Sequence, residues 1–384
     1  MTLSSGNSPA LRFPEFRGEW KEIFLRDAVK FENGKAHENE IVENGRFIVV
    51  NSKFIASGGS IKKYSDKQIS PVFKTDVVMV MSDVPKGQAL AKCFYIDKDN
   101  LYTLNQRICA LRAIGYDSRF LYYLVDRNKY FLAFDSGVGQ TNLRKDEVLD
   151  CPLIVPESKD EQNKIGSFLS AVDEKIGQLV TKKDLLFRYK KGVMQQIFDQ
   201  KIRFIDSDDN EFPTWHEEKI GEICDVVKGE QLNGSELVVA GKYPMLNGGI
   251  EPSGFTDQWN TPANTITISE GGNSCGFVNI MKVRFFCGGH CYALKNIKPI
   301  VCQTFLYQAL KFKEEEIMRL RVGSGLPNIQ KKDLNRFSVP MPSLSEQKRI
   351  AQFLTALDEK TAMSNLQVDN MKAFKNGLLQ QMFV

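Results

Sequence analysis

The chain has 384 residues, 42% of them hydrophobic, and its 51 Lys and Arg against 47 Asp and Glu leave a net charge of +4; this is ordinary for a soluble protein and long enough for two or three domains. No stretch approaches the roughly 18 apolar residues of a membrane span, and residues 1–10 lack the basic start and apolar run of a signal peptide. A sequence pI near 8.5 permits nucleic-acid binding without demanding it, and eight scattered cysteines without an export signal read as reduced thiols in a cytoplasmic protein.

The first globule opens on Phe13-Pro14-Glu15-Phe16-Arg17-Gly18-Glu19-Trp20, then Leu25-Arg26-Asp27-Ala28-Val29. The β-branched and aromatic runs at 46–50 and 77–81 predict strands, and Ser57-Gly58-Gly59-Ser60 a turn between them. A short helix is expected over 118–130. Ser136-Gly137-Val138-Gly139-Gln140-Thr141-Asn142-Leu143 follows, then a polar Lys-Asp turn and an apolar strand ending at Pro156.

At Ser158 a long helix begins. Ser158-Lys159-Asp160-Glu161 has the form of a capping box, in which Ser accepts from an orphan amide and Glu reaches back to the Ser amide. Behind it Ile165, Leu169, Val172, Ile176, Leu179, Leu186 and Val193 follow a heptad seam, interrupted at Lys183 and Lys190. At roughly 40 residues such a helix is about 60 Å long. A polar link, Asp206-Ser207-Asp208-Asp209-Asn210, leads out of it.

The second globule repeats the first. Phe212-Pro213-Thr214-Trp215 and Ile220-Gly221-Glu222-Ile223-Cys224 open it. Thr265-Ile266-Thr267-Ile268 and Val283-Arg284-Phe285-Phe286 predict strands, Asn247-Gly248-Gly249 and Glu270-Gly271-Gly272-Asn273 predict turns, and 301–318 a short helix. Gly323-Ser324-Gly325-Leu326-Pro327-Asn328-Ile329 answers the segment before the first long helix, again with a Lys-Asp turn and a strand ending at Pro342. Ser343-Leu344-Ser345-Glu346 then starts a second long helix, with Ile350, Leu354, Leu357, Val368, Met371, Leu378 and Met382 on its seam and Thr361, Ser364 and Lys375 interrupting it. The order is globule, helix, globule, helix, with a period near 185 residues.

A long helix with one apolar stripe cannot bury it alone, so the two are expected to pair antiparallel. Gly192 and Gly377 occupy the same point of each copy, where a helix interior disfavours glycine by about 1 kcal/mol, so close helix approach is the expected reason. The class is then α+β. Antiparallel pairing of copies would place the globules at opposite ends about a pseudo-two-fold axis, the symmetry used to read two half-sites; because the globules differ, the site would be split and asymmetric.

Two lead-ins are specific enough to name a family: Pro156, Glu161, Gln162, Ile165 with Phe168, Leu169, Asp173, Lys175, and Pro342, Glu346, Gln347, Ile350 with Phe353, Leu354, Asp358, Lys360. With the Gln-x-Asn-Leu type segment before each, the whole chain resembles the DNA specificity subunit of type I restriction–modification enzymes. The resemblance implies two mixed α/β target-recognition domains, 1–157 and 201–342, separated by coiled-coil helices at 158–200 and 343–384. It implies double-stranded DNA as ligand. It also implies docking of two methyltransferase (modification) subunits and, through them, two restriction (motor and nuclease) subunits, with S-adenosylmethionine, ATP and Mg on those partners and no cofactor on this chain.

The residues themselves carry little catalysis. The sequence has no Gly-x-x-x-x-Gly-Lys-Ser/Thr phosphate loop, no nucleotide fingerprint and no Asn/Asp-Pro-Pro-aromatic tetrapeptide. Asn33-Gly34-Lys35 and Lys86-Gly87 read as turns. Asp173-Glu174-Lys175 and Asp358-Glu359-Lys360 read as solvated or partner-facing charged faces rather than a nuclease centre. Cys275, Cys287, His290 and Cys291 match no common zinc spacing and read as buried thiols near a strand, with no metal.

DNA reading favours Arg or Lys on guanine and Asn or Gln on adenine, with Lys, Arg and Gly-rich turns on phosphates. The candidates are Lys62, Lys63, Lys86, Lys92, Asn105, Gln106 and Arg107 in the first globule, and Asn247, Asn273, Lys282, Arg284 and His290 in the second. Arg107 leads, as a polar island in a strand-like run, and could equally pair with a buried acid. The alternatives are an adaptor with two ligand-binding globules on a coiled-coil strut and, more remotely, a stand-alone nuclease.

Overall fold

Every side chain of the strand Val77–Val80 is buried, because alternate residues serve different cores. A strand sends successive side chains to opposite faces. Val77 and Met79 enter one apolar cluster, with Leu111, Phe120 and Phe131. Val78 and Val80 enter another, with Phe54, Ile96 and Leu104. The computed structural model describes residues 8–84, 87–232, 241–323, 325 and 327–384. They divide into two compact units, one running to Val180 and including Leu366–Val384, the other comprising Thr181–Asn365.

In the first unit, Val29–Asn33, Ile108–Ala113, Val77–Val80 and Cys93–Tyr95 form a four-stranded antiparallel sheet in that order. Tyr64–Ser65, Phe47–Val50 and Tyr102–Leu104 form a three-stranded sheet whose last pair is parallel. Trp20–Phe24 pairs with Pro152–Pro156, which leads into the long helix. The second unit repeats the plan. Asp225–Lys228, Cys291–Lys295, Thr265–Ser269 and Val278–Met281 form the four-stranded sheet. Gly254–Thr256, Tyr243–Leu246 and Phe286–Cys287 form the three-stranded one, and His216–Lys219 pairs with Ser338–Met341. The duplication inferred from the ends of each repeat therefore extends through the interiors.

Several local expectations are corrected. The strand expected at 283–286 begins only at Phe286, because Val283 and Arg284 are exposed and belong to the loop before it. Each expected short helix is two, Ser118–Val125 with Lys129–Leu132 and Gln303–Phe312 with Glu314–Arg319. The two Lys-Asp turns are helices, Lys145–Leu149 and Lys331–Arg336.

The long helices are Lys159–Phe198 and Leu344–Met382. In each unit the start of one lies beside the end of the other, so they run antiparallel. Ile165, Leu169 and Val172 share a core with Leu378 and Met382; Ile350, Leu354 and Leu357 share one with Met194, Ile197 and Phe198. Of the predicted seam, Leu179 and Val368 are also buried, while Ile176, Leu186, Val193 and Met371 are half-buried. Burial passes from Val193 to Met194 at the end of the first helix. The seam is not reserved for the partner helix: Phe120, Leu121 and Leu124 occupy the same core in the first unit, and Phe305, Leu306 and Ala309 in the second.

The lead-in motif does more than cap a helix. Ser158 Oγ accepts from the Glu161 amide and Ser343 Oγ from the Glu346 amide, both at 3.3 Å. The Glu carboxylates do not complete the expected box. Glu161, 1% exposed, is gripped by Arg12 Nε and Nη2 (2.6 and 2.8 Å) and by the Trp20 indole N–H (3.3 Å). Glu346 takes Arg203 Nη2 at 2.8 Å and Trp215 Nε1 at 2.9 Å. The neighbouring glutamines act as braces. Gln162 donates to Pro156 O and accepts from Asp117 N; Gln347 donates to Pro342 O and accepts from Cys302 N. Each Glu-Gln pair thus ties a long helix both to the start of its globule and to the first turn of the helix packed on it.

Asp173 and Asp358, expected on a solvated or partner-facing charged face, are half-exposed and also make structural contacts. Asp173 binds Lys375 (2.6 Å) and the Tyr123 hydroxyl (2.7 Å); Asp358 binds Lys190 and Gln308. Two of the three seam-interrupting lysines, Lys190 and Lys375, are therefore the partners of these acids, while Glu174, Lys175, Glu359 and Lys360 remain exposed.

The glycine expectation is also overturned. A Cβ at Gly192 or Gly377 would meet nothing within 4 Å, whereas at Gly166 it would lie 2.7 Å from both Asp117 Oδ1 and Phe120 N. The close approach is between the long helix and the globule. Gly192→Ala and Gly377→Ala are each expected to stabilise the chain by up to about 1 kcal/mol from helix propensity, and Gly166→Ala to destabilise it, as measured by urea unfolding. A destabilised Gly377→Ala would restore the tight-packing explanation.

Candidate nucleic-acid interface

The two units can be aligned bond by bond at one junction. Gly34 N donates to Ile108 O and Gly229 N to Cys291 O; Lys35 N donates to Leu104 O and Glu230 N to Cys287 O. Asn105 N donates to Val50 O and Gly288 N to Leu246 O; Met81 N donates to Arg107 O and Glu270 N to His290 O. By this register the turn Asn105-Gln106-Arg107 is the counterpart of Gly288-Gly289-His290. Met81 corresponds to Glu270, and Asn142 and Asn328 bridge to Ser82 and Gly271.

In the first unit the turn borders a polar recess of about 400 Å³ lined by Glu38, Asn51, Ser52, Ser82 and Asn105-Gln106-Arg107-Ile108. Arg107 is exposed and left-handed, with φ of 68°, a region that L side chains occupy only when the surroundings hold them there. Its guanidinium has no ion-pair partner among the described residues, which disposes of the buried-acid alternative; the buried acid of this sheet, Asp76, is taken by Arg112 (2.8 Å). Asn105 Oδ1 is buried without a hydrogen-bond partner. Gln106 Nε2 is spent on Glu38. Asn51 caps the helix Ser52–Ala56, and Gln140 holds Ser82 Oγ at 2.6 Å.

The second turn is built differently. A Cβ at Gly288 would come within 2.5 Å of Asn247 Oδ1, and that oxygen accepts from His290 N at 3.1 Å. Asn247 is thus a brace for the turn. The exposed His290 ring has Nδ1 3.7 Å from Glu270 Oε2; Glu270 also binds Lys228 (2.6 Å) and the Tyr292 hydroxyl (3.1 Å). Burial raises the Tyr292 phenol above its usual range, so it stays a donor.

The other candidates scatter. Lys62 and Lys63 are exposed, and Lys63 borders a smaller hollow shared with His37, Glu38, Asn51 and Asn105. Lys92 donates to Ala56 O at 2.9 Å, a structural role. Lys86 lies outside the described residues. Asn273 and Lys282 are exposed, and Arg284 stacks 4.7 Å over the Trp259 ring; none is bonded to the turn. Sequence reasoning missed Asn51, Ser82, Gln140, Glu270 and Lys228. Of these, Gln140 carried a signal in the segment that recurs at Asn328, and Glu270 in the predicted turn Glu270-Gly271-Gly272-Asn273.

Cys291 is buried, and its thiol is pushed up by its hydrogen bond to Cys287 and by burial. Among the described residues no group of three or more His, Cys, Asp and Glu is placed to hold a metal, and no helix is long and apolar enough to cross a membrane.

The family described as "Type I restriction modification DNA specificity domain" matches residues 17–186 and again 213–370, one match per repeat. A type I specificity subunit of Mycoplasma pneumoniae is 33% identical over 171 residues, 44% of this chain and 45% of that one. One from Mycoplasma genitalium is 38% identical over 148 residues, 38% of each chain. The chain thus aligns with less than half the length of either relative. Over the full length, the crystal structure of a Mycoplasma genitalium type I restriction–modification S subunit has the same fold, with a TM-score of 0.72 at 22% identity, covering 98% of this chain and 99% of that one. With both repeats matched, the chain belongs to the type I restriction–modification DNA specificity family.

Proposed function

We propose that the chain is the DNA-reading, non-catalytic subunit of a type I restriction–modification assembly and recognises a bipartite, asymmetric site in double-stranded DNA. The observation that carries this reading is the pair of units with one hydrogen-bond register and two different turn chemistries, Asn105-Gln106-Arg107 against Gly288-Gly289-His290. One scaffold used twice with different side chains on the same turn suits two unlike half-sites. Residues 1–157 and 201–342 are the target-recognition domains, and 158–200 with 343–384 form the spacer. Two methyltransferase subunits dock on the chain, with two restriction subunits joining through them; S-adenosylmethionine, ATP and Mg belong to those partners. Lys62, Lys63, Lys282 and Arg284 supply phosphate contacts.

Selection from random duplexes by the chain assembled with its methyltransferase is expected to return one split sequence, with affinity falling steeply with salt. Exchange of residues 13–157 for the corresponding globule of a relative should change one half-site alone. Selection of no sequence would refute the reading; change in both halves would refute independent readers.

A further inference from the structure

Resting on that reading, we infer that the turn Asn105-Gln106-Arg107 reads a G·C pair in the major groove, and that His290 holds the corresponding reading position in the other half-site. Three independent observations point to this turn rather than to the other exposed cations. It is where the register of the two units coincides while the side chains differ, as a specificity position requires. Arg107 is held in a left-handed backbone with its guanidinium exposed and without an ion-pair partner among the described residues. Beside it, Asn105 lines an open polar recess, and its buried Oδ1 has no donor.

The chemistry selects the base pair. Arg107 offers only donors and Asn105 Oδ1 only an acceptor. In the major groove guanine presents N7 and O6 as acceptors, and its partner cytosine presents the N4 amine as a donor. A G·C pair thus satisfies the guanidinium fork, and the Asn105 carbonyl, covered in the free protein, meets cytosine N4 once its side chain turns into the recess. In the second unit the shorter His290 takes the position of Arg107, and two glycines replace Asn105 and Gln106. The two glycines pack against Asn247 and Gln231, which leaves the exposed His290 ring as the one side chain of that turn offered to a base.

The test uses the assembled complex and random duplexes. Arg107→Gly removes the side chain while suiting the positive φ, so folding is not at stake. It is expected to reduce discrimination at one G·C position by about 10- to 100-fold, the range of a bidentate contact, leaving the other half-site unchanged. His290→Ala should relax one position in the other half only. If Arg107→Gly leaves base preference intact, or weakens all sequences alike with a shallower salt dependence, Arg107 grips phosphate or nothing, and the assignment falls. If His290→Ala alters the Arg107 half, the correspondence falls. In either case the unaltered complex still selects its split site; only its failure to do so would overturn the broader proposal.

Discussion

Replacing Leu354 with aspartate is expected to destabilise the unit formed by Thr181–Asn365 by more than about 4 kcal/mol, with loss of the cooperative unfolding transition at moderate urea. Leu354 is 0% exposed and shares its core with Ile197, Phe305 and Leu306. Truncating a buried leucine to alanine alone costs about 2–5 kcal/mol, and an unpaired carboxylate in the same space adds desolvation. Leu169→Asp should do the same to the first unit, since Leu169 is equally buried among Phe120, Leu121 and Leu378. Tryptophan fluorescence separates the cases, as Trp20 belongs to the core of the first unit and Trp215 packs against that of the second. A loss below about 1 kcal/mol, the scale of an ordinary surface change, would mean that these positions do not hold the helices to the globules.

Glu161→Ala and Glu346→Ala are each expected to lose about 3–5 kcal/mol, the toll of breaking a buried ion pair by removing one partner. The burial is one-sided: Glu161 is 1% exposed and Arg12 15%, Glu346 0% and Arg203 25%. Removing the acid strands an arginine and an indole N–H together. Glutamine should recover part of the loss, because its carbonyl oxygen still accepts from one of them. A shared quenching change of Trp20 in Glu161→Ala and of Trp215 in Glu346→Ala would locate the damage at the globule's first strand. Equal stability of the alanine and native chains in urea would show that these buried ion pairs do not tie the helices to the globules.

Periodic features were legible and pairings across the chain were not. The heptad seam was readable because apolar residues recur at helical spacing within one segment, and ten of its fourteen named positions are buried. Glu161 was misread because a capping box is judged within four residues, whereas Arg12 lies 149 residues away. Asp173 was read as solvated for the same reason, its partner Lys375 being on the other long helix. Gly192 drew notice because it recurred at Gly377, yet Gly166, which meets another backbone, has no glycine counterpart at Ala351. At the candidate interface Arg107 stood out as a charge in an apolar run. Asn51 and Ser82 did not, since they reach that turn from separate strand ends, and neither did Glu270, which reaches the His290 turn of the other unit from the end of its own strand.

The peptide amide of Leu11 donates to Gln381 O at 2.8 Å, on the last turn of the final helix. At the end of the earlier helix, Ile202 N donates to Gln196 O in the same manner, and Arg12 and Arg203 then follow with the same task. What passes through a covalent linker in one place is rejoined by hydrogen bonds in the other. Each long helix therefore ends on an equivalent bond, made in one unit by the residues that follow it directly and in the other by a segment far away in the chain, so the anchoring of a helix end does not depend on covalent continuity.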